Sequence, residues 1–233
     1  MKYDKKQSTS FAIGMFATLE LLTNKLENVV GVYYSNKIKI NDKVKELFDF
    51  CKQNKITLLE RTRFIESIAG KENVFIIGEF KKYSSSIQND NHLVLVNPSD
   101  MGNMGTIIRT CLGLDINNIA IIKPCVDIFD PKVIRASQGA IFKINIELFD
   151  NYKDYSNRYA RNEKYMFCLD GNHNLQEINN KKTPFSLVFG NESSGLPEEI
   201  TNQGTKIKIK QSDSIDSFNL AISVAMGLYE FNR

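Results

Sequence analysis

The chain is poor in metal-binding side chains, with two histidines and four cysteines in 233 residues. Cys51, Cys111, Cys125 and Cys168 stand far apart, no pair has the spacing of metal ligands, and only His92 and His173 are there to help. This argues against a structural zinc site and a disulfide framework, and reduced, buried thiols are expected instead. No apolar run approaches the roughly 18 residues of a membrane span. The opening Met-Lys-Tyr-Asp-Lys-Lys-Gln has no apolar signal core behind it. A cytoplasmic protein with no membrane attachment is the expectation. Neither charge sign dominates, the net charge being +3, but the first 92 residues hold 15 Lys+Arg against 11 Asp+Glu and the remainder 15 against 16. A slightly basic front suits a polyanionic partner without proving one.

What is present describes a globular chain of one or two domains: 42% hydrophobic residues and 24% charged. Ser10 stands as an N-cap before Phe11–Leu22, where apolar residues recur at helical spacing, with Thr23-Asn24 as a stop. Val29–Tyr34 reads as a strand. Asn41 or Asp42 caps a helix carrying Val44, Leu47, Phe48 and Cys51 on one face. Ile56–Leu59 reads as a second strand, residues 60–69 as a helix ending at Gly70, and Val74–Gly78 as a third strand. The alternation predicts a small α/β/α unit over residues 1–85. A polar tract from Lys81 to Asn91 follows, with 86–91 taken as linker.

Residues 92–233 alternate strands and helices, which predicts a mostly parallel sheet with helices on both faces. His92–Val96 is a buried-type strand leading into Asn97-Pro98-Ser99-Asp100-Met101-Gly102-Asn103-Met104-Gly105, with a helix expected from Thr106 to about Gly113. Arg109 interrupts that otherwise apolar helix, where an unpaired charge is costly unless it has a use. Ile119–Ile122 and Ile141–Ile144 read as strands around a short helix through Arg135, and 150–162 as a surface helix. Tyr165–Leu169 reads as a strand closed by an Asp170-Gly171 turn. Leu187-Val188-Phe189 reads as a strand ending in Gly190-Asn191-Glu192-Ser193-Ser194-Gly195-Leu196, a glycine-bearing turn where backbone and ligand approach closely. Lys206–Lys210 alternates strictly, the pattern of an edge or half-exposed strand, and Ser217-Phe218-Asn219 opens a terminal helix rich in small residues.

Three clusters recur in one order and in strand-loop-helix contexts: Asn103…Gly105…Arg109, Gly190…Glu192…Gly195, and Ile209 followed by Ser217-Phe218-Asn219. Together they resemble the three motifs of the SpoU (TrmH-type) RNA 2′-O-methyltransferases. Arg135–Ala140 also looks like the segment that family carries between its first two motifs, and the resemblance spans residues 92–233. Residues 1–85 are similar, more loosely, to a ribosomal-protein-like RNA-binding domain found in one branch of the family. Two departures stand out: Lys210-Gln211 replaces the usual Pro-Met, and Phe218 replaces a leucine, both at the wall of the cofactor site.

The resemblance implies a SPOUT fold with a deep C-terminal trefoil knot and a homodimer formed through the knotted domain. It implies S-adenosyl-L-methionine held at Leu187, Gly190, Ile209 and Phe218, chiefly through main-chain groups. Asn103, Arg109, Glu192, Ser217 and Asn219 are then the catalytic set, with Arg109 as phosphate clamp or base. Methyl transfer to a ribose hydroxyl requires alignment and proton removal but no metal. Ribosomal RNA is the expected substrate, with transfer RNA as the alternative and a non-catalytic RNA-binding protein as a third reading. A nicotinamide-dependent dehydrogenase fits less well, because the first strand–helix turn reads Gly102-Asn103-Met104-Gly105 instead of Gly-x-Gly-x-x-Gly.

Overall fold

In the computed structural model, which describes residues 3–70, 73–179 and 181–233, Gly14 adopts a φ of 95° and ends the first strand. The apolar run from Phe11 therefore divides into β1 (Thr9–Ile13) and α1 (Met15–Asn24). The expected single helix capped by Ser10 is corrected here. Ser10 lies fully buried in β1, its hydroxyl donating to the Phe129 carbonyl. A continuous apolar run has no decisive period, and pairing with a neighbouring strand settled its form. The chain continues through β2 (Val29–Tyr34), α2 (Asp42–Gln53), β3 (Leu58–Glu60), α3 (Thr62–Ala69) and β4 (Ile76–Lys81). Asn41 caps α2 by accepting from the Val44 N–H at 3.0 Å, and Gly70 closes α3 in the left-handed conformation.

The chain forms two compact units. The first comprises Met1–Tyr83 with Asp127–Lys143. Its four strands run in the order β1-β4-β2-β3, with β4 antiparallel to both neighbours and β3 parallel to β2. The two-residue strand period sends Ile76 to one face and Ile77 to the other. Ile76 joins Leu22, Val32, Leu47 and Cys51 beneath α1 and α2, while Ile77 joins Phe11, Ile13 and Ile65 beneath α3.

The segment 127–143 belongs to this unit although the sequence places it in the second domain. The Asp127 carboxylate accepts from the Tyr3 hydroxyl and, at 3.0 Å, from Lys82 Nζ. Phe129 packs edge-on against Phe80, and Lys143 pairs with Glu20 at 2.8 Å. Gly139, at φ 82°, approaches α1 so closely that a Cβ would lie 2.8 Å from that of Glu20.

The second unit comprises Ser84–Val126 and Ile144–Arg233. Its elements are β5 (His92–Val96), α4 (Met101–Gly113), β6 (Asn118–Ile122), then, beyond α5 (Pro131–Ala136) of the first unit, β7 (Asn145–Phe149), α6 (Tyr152–Arg158) and β8 (Glu163–Phe167). They continue with β9 (His173–Asn174), β10 (Phe185–Phe189), α7 (Glu198–Thr201), β11 (Thr205–Lys208) and α8 (Leu220–Asn232). Seven strands in the order β7-β6-β5-β10-β8-β11-β9 are parallel at every pairing. Val94, Ala120 and Val188 pack with the α6 tyrosines on one face. The other face carries α8, whose Phe231 stacks edge-on against Phe185 and Tyr165.

Four local expectations change. Ile141–Ile144 is not a strand: Ala140–Phe142 form a 3-10 turn and the strand begins at Asn145. β11 is the half-exposed strand that the alternation allowed, with Ile207 buried between partly exposed lysines, and not an edge, because it pairs with β8 on one side and with the two-residue β9 on the other. The tract near 85–88 is docked, Ser85 Oγ donating to the Ile146 carbonyl at 2.8 Å and Ile87 being buried. α4 begins at Met101, not Thr106, because Asp100 caps it by accepting from the Asn103 N–H at 2.7 Å.

Candidate active site

The candidate site lies where β5, β8, β10 and β11 of the second unit end. Early initiation of α4 puts Asn103 in its first turn, facing the loop after β10. That loop is shaped by its glycines. Asn191 and Gly195 exchange backbone hydrogen bonds at 3.1 and 3.0 Å, and Gly195 adopts φ 68°. A Cβ on Gly190 would sit 2.1 Å from the Gly195 carbonyl carbon, so no larger residue fits this hairpin. The Asn191 side chain accepts from the Ser193 and Ser194 N–H groups and donates to the Asn97 carbonyl at 2.7 Å, tying the loop to the end of β5.

Glu192 is the acceptor around which the site is arranged. Its carboxylate accepts from the Ser99 N–H (3.1 Å) and hydroxyl (2.8 Å), the Asp100 N–H (3.2 Å) and Asn103 Nδ2 (3.3 Å). Burial pushes this carboxyl up, but hydrogen bonds from its own N–H, from Ser99 and from Asn103 outweigh that and hold it below the usual carboxylate range. The start of α4 beside it favours the negative charge as well.

Asn103 Oδ1 in turn accepts from Asn219 Nδ2 at 3.0 Å, while Asn219 Oδ1 caps α8 by accepting from the Ala221 N–H at 2.9 Å. A carboxylate only accepts and a backbone N–H only donates, so the two ends of this chain fix both amide orientations. Residues 103, 192 and 219, one from each sequence cluster, thus form one hydrogen-bonded line.

Two cavities meet there. The first, about 320 Å³, is lined by Phe167, Cys168, Leu169, Asp170, the 189–196 loop, Ile207, Ile209, Gln211, Ser217, Phe218, Leu220 and Ser223. The second, about 430 Å³, is lined by Ser99, Asp100, Asn103, Glu192 and Ser217–Leu220. Glu192, Ser217, Phe218 and Leu220 border both. Gln211 Nε2 donates to the Asp216 carbonyl at 2.9 Å, so the loop before Ser217 folds back on itself where the family has Pro-Met. Phe167 and Phe189 stack with centroids 4.1 Å apart on the floor of the first cavity. The Cys168 thiol is pushed up to about 11 by burial and by Asp170, so it is no nucleophile at neutral pH.

Of the expected cofactor residues, Gly190, Ile209 and Phe218 line the first cavity, whereas Leu187 is fully buried inside β10 and lines neither. Asn103, Glu192, Ser217 and Asn219 surround the second cavity, and Arg109 does not. Arg109 is exposed on α4, with no hydrogen-bond or ion-pair partner among the described residues. Six residues on a helix are about one and two-thirds turns, which carries Arg109 well away from the face of Asn103. Ser99, Asp100 and Asn191 belong to the network although nothing in the sequence singled them out. The spacing of Asp100 before Asn103, that of an N-cap, was the available signal for one of them. No group of histidines, cysteines and carboxylates suited to a metal occurs among the described residues.

Known proteins resemble this chain in sequence and in fold. Over 149 residues the chain is 30% identical to a Listeria innocua protein named as a tRNA (cytidine(34)-2′-O)-methyltransferase, covering 61% of this chain and 87% of that one. It is 22% identical to the uncharacterized tRNA/rRNA methyltransferase MG252 homolog of Mycoplasma pneumoniae, over 97% of this chain and 98% of that one. The crystal structure of an AdoMet-bound rRNA methyltransferase from Sinorhizobium meliloti superimposes with a TM-score of 0.83 at 25% identity, covering 97% of this chain and 87% of that one. The model of the SpoU rRNA Methylase family matches residues 90–229, a span that includes all three hydrogen-bonded clusters. The chain belongs to the SpoU rRNA methylase family.

Proposed function

We propose that this protein transfers a methyl group from S-adenosyl-L-methionine to a ribose 2′-hydroxyl of structured RNA, ribosomal RNA in preference to transfer RNA. The observation that carries the reading is the line from Asn219 through Asn103 to Glu192 between two adjoining cavities. The first cavity fits the cofactor: about 320 Å³ is within the range of small-ligand sites, and the phenylalanines suit a purine and an alkyl chain. Gly190, Ile209 and Phe218 would hold it. When bound, the cofactor supplies a methyl group on a sulfonium sulfur, whose transfer leaves the S–C electron pair on sulfur and the hydroxyl proton to solvent.

The second cavity takes the reacting nucleotide in this reading. Ser217, lining both cavities, hydrogen-bonds the incoming ribose, and Asn103 and Asn219 hold the main chain around it. Glu192 keeps the β10 loop against the start of α4, so its work is positioning. Guanidinium groups keep their proton at neutral pH, which favours Arg109 as a phosphate clamp that aligns the hydroxyl over its use as a base.

The preference for ribosomal RNA rests on the match along nearly the whole chain to an rRNA methyltransferase, whereas the tRNA-named relative matches over 61%. The first unit, 1–85 in sequence terms, then serves as the RNA-binding part. A homodimer, a trefoil-knotted second unit and a cytoplasmic location complete the reading. Four free cysteines suit a reducing compartment.

The test is transfer of label from S-adenosyl-L-methionine into total RNA lacking its native modifications, comparing wild type with Arg109→Ala. Label from wild type, recovered as a 2′-O-methyl nucleoside in ribosomal RNA and lost in the variant, is expected. Cofactor binding with no label in any RNA would favour a non-catalytic RNA-binding protein.

A further inference from the structure

The first cavity, walled by Phe167, Phe189 and Phe218, contains an electrostatic asymmetry that the motifs do not account for. Its lining includes two carboxylates, Asp170 and Glu192, and no lysine, arginine or histidine among the described residues. The lysines of β11 and the residues after it do not line the cavity: Ile207 and Ile209 do, and Lys206, Lys208 and Lys210, which alternate with them, do not. The field of Lys206 reaches Cys168 without entering the lining.

The two carboxylates differ in what already holds them. Glu192 accepts from Ser99, Asp100 and Asn103, so its charge is met by fixed donors. Asp170 follows β8, is exposed at the cavity edge, and has the Cys168 thiol beside it. Its negative charge therefore acts on whatever occupies a cavity walled by Phe167, Phe189 and Phe218, where apolar surroundings weaken screening.

A carboxylate so placed distinguishes ligands by charge. The sulfonium form of the cofactor carries one more positive charge than the thioether left after methyl transfer, and the two otherwise share their shape. We propose that Asp170 is a specificity-determining residue that makes this cavity prefer the cationic sulfonium cofactor over its neutral thioether product. The proposal rests on the methyltransferase reading above. Loss of the positive charge during transfer then weakens retention of the product, which helps the site clear for the next turnover. For a partly solvated carboxylate acting across one cavity, the preference is on the order of threefold to tenfold, and it falls with ionic strength.

The experiment is titration calorimetry of wild type, Asp170→Asn and Asp170→Glu with three ligands at low salt. The ligands are S-adenosyl-L-methionine, S-adenosyl-L-homocysteine and sinefungin, an unreactive analogue with an amine in place of the sulfonium. The expected result is that Asp170→Asn lowers affinity for both cationic ligands by about threefold to tenfold, with little change for the thioether. Asp170→Glu is expected to keep the wild-type ratio. A ratio unchanged in Asp170→Asn, or equal weakening of all three ligands, would overturn the proposal while leaving the methyltransferase reading intact. Equal weakening would place Asp170 on the shared adenosine portion. Failure of wild type to bind any of the three would overturn both.

Discussion

At the scale of single residues, Glu192 shows how a side chain matters through what it holds. Replacing it by Gln keeps the size but turns one oxygen into a donor facing either the Ser99 N–H, which donates to Oε2, or the Asp100 N–H, which donates to Oε1. Glu192→Gln is expected to cost about 1–2 kcal/mol of stability, the part-exposed position moderating the loss, and to lower methyl transfer more than cofactor affinity. The pH dependence follows from the sign of its shift. A carboxyl held below its unfolded value contributes stability that is fully present above the ordinary carboxylate range near pH 4.3 and disappears as pH falls through the folded value. Thermal melts of wild type and Glu192→Gln should therefore differ by a constant amount above about pH 5 and converge in acid. A difference independent of pH would mean that the charge has no part in it. The acid was legible in the sequence as the centre of a Gly-Asn-Glu turn. Its partners Ser99 and Asp100, 93 and 92 positions earlier, were not, because only the parallel pairing of β5 and β10 sets the two loops side by side.

Elements supply the frame for that network, and α8 is the most informative of them. Its small residues read in the sequence as a sign of close packing, and Gly227 shows what the packing meets. A Cβ there would lie 2.9 Å from the ring tip of Phe167 and 3.0 Å from that of Phe189, the stacked pair on the cavity floor. Ala improves helix propensity by about 1 kcal/mol, but overpacking rigid rings costs about 1–3 kcal/mol, so the clash wins. Gly227→Ala is expected to lower the melting temperature and to weaken cofactor binding together, since the displaced rings line the cavity. Unchanged affinity in a destabilised variant would separate the floor from the site. Helix starts were the least legible feature at this scale. Met101–Gly105 reads as a loop because of its two glycines, yet the Asp100 cap and packing against α8 make it the first turn of α4.

For the molecule as a whole, α8 also presents a face with nothing on it. Ile222, Met226 and Tyr229 follow one another at helical spacing and are 48%, 37% and 65% exposed. Apolar stripes of this kind mark association surfaces, and two-fold pairing is the commonest way to cover one. The proposed homodimer makes a direct prediction. Met226→Asp should convert a species of twice the chain mass into one of 26.6 kDa in sedimentation, without lowering the melting temperature by more than dissociation explains. A wild type that sediments at 26.6 kDa at all concentrations would remove the dimer from the reading. Among the described residues no helix is long and apolar enough to cross a membrane, so a bilayer-spanning helix is not what this stripe serves.

By itself, the sequence determined the parallel character of the second unit, the three clusters and the family they belong to. Those depend on local pattern: buried apolar runs, glycines that no larger residue can replace, and short motifs in order. Tertiary structure alone decided that Asp127–Lys143 packs with the first unit, that β11 is an inner strand, and that Leu187 lies sealed beneath α8. It also decided that Asp170 shares a cavity with Phe218. Each of these depends on which distant segments come to lie side by side. Sequence spacing carries no record of that, because the neighbour supplying the contact is chosen by strand order and helix packing across the fold.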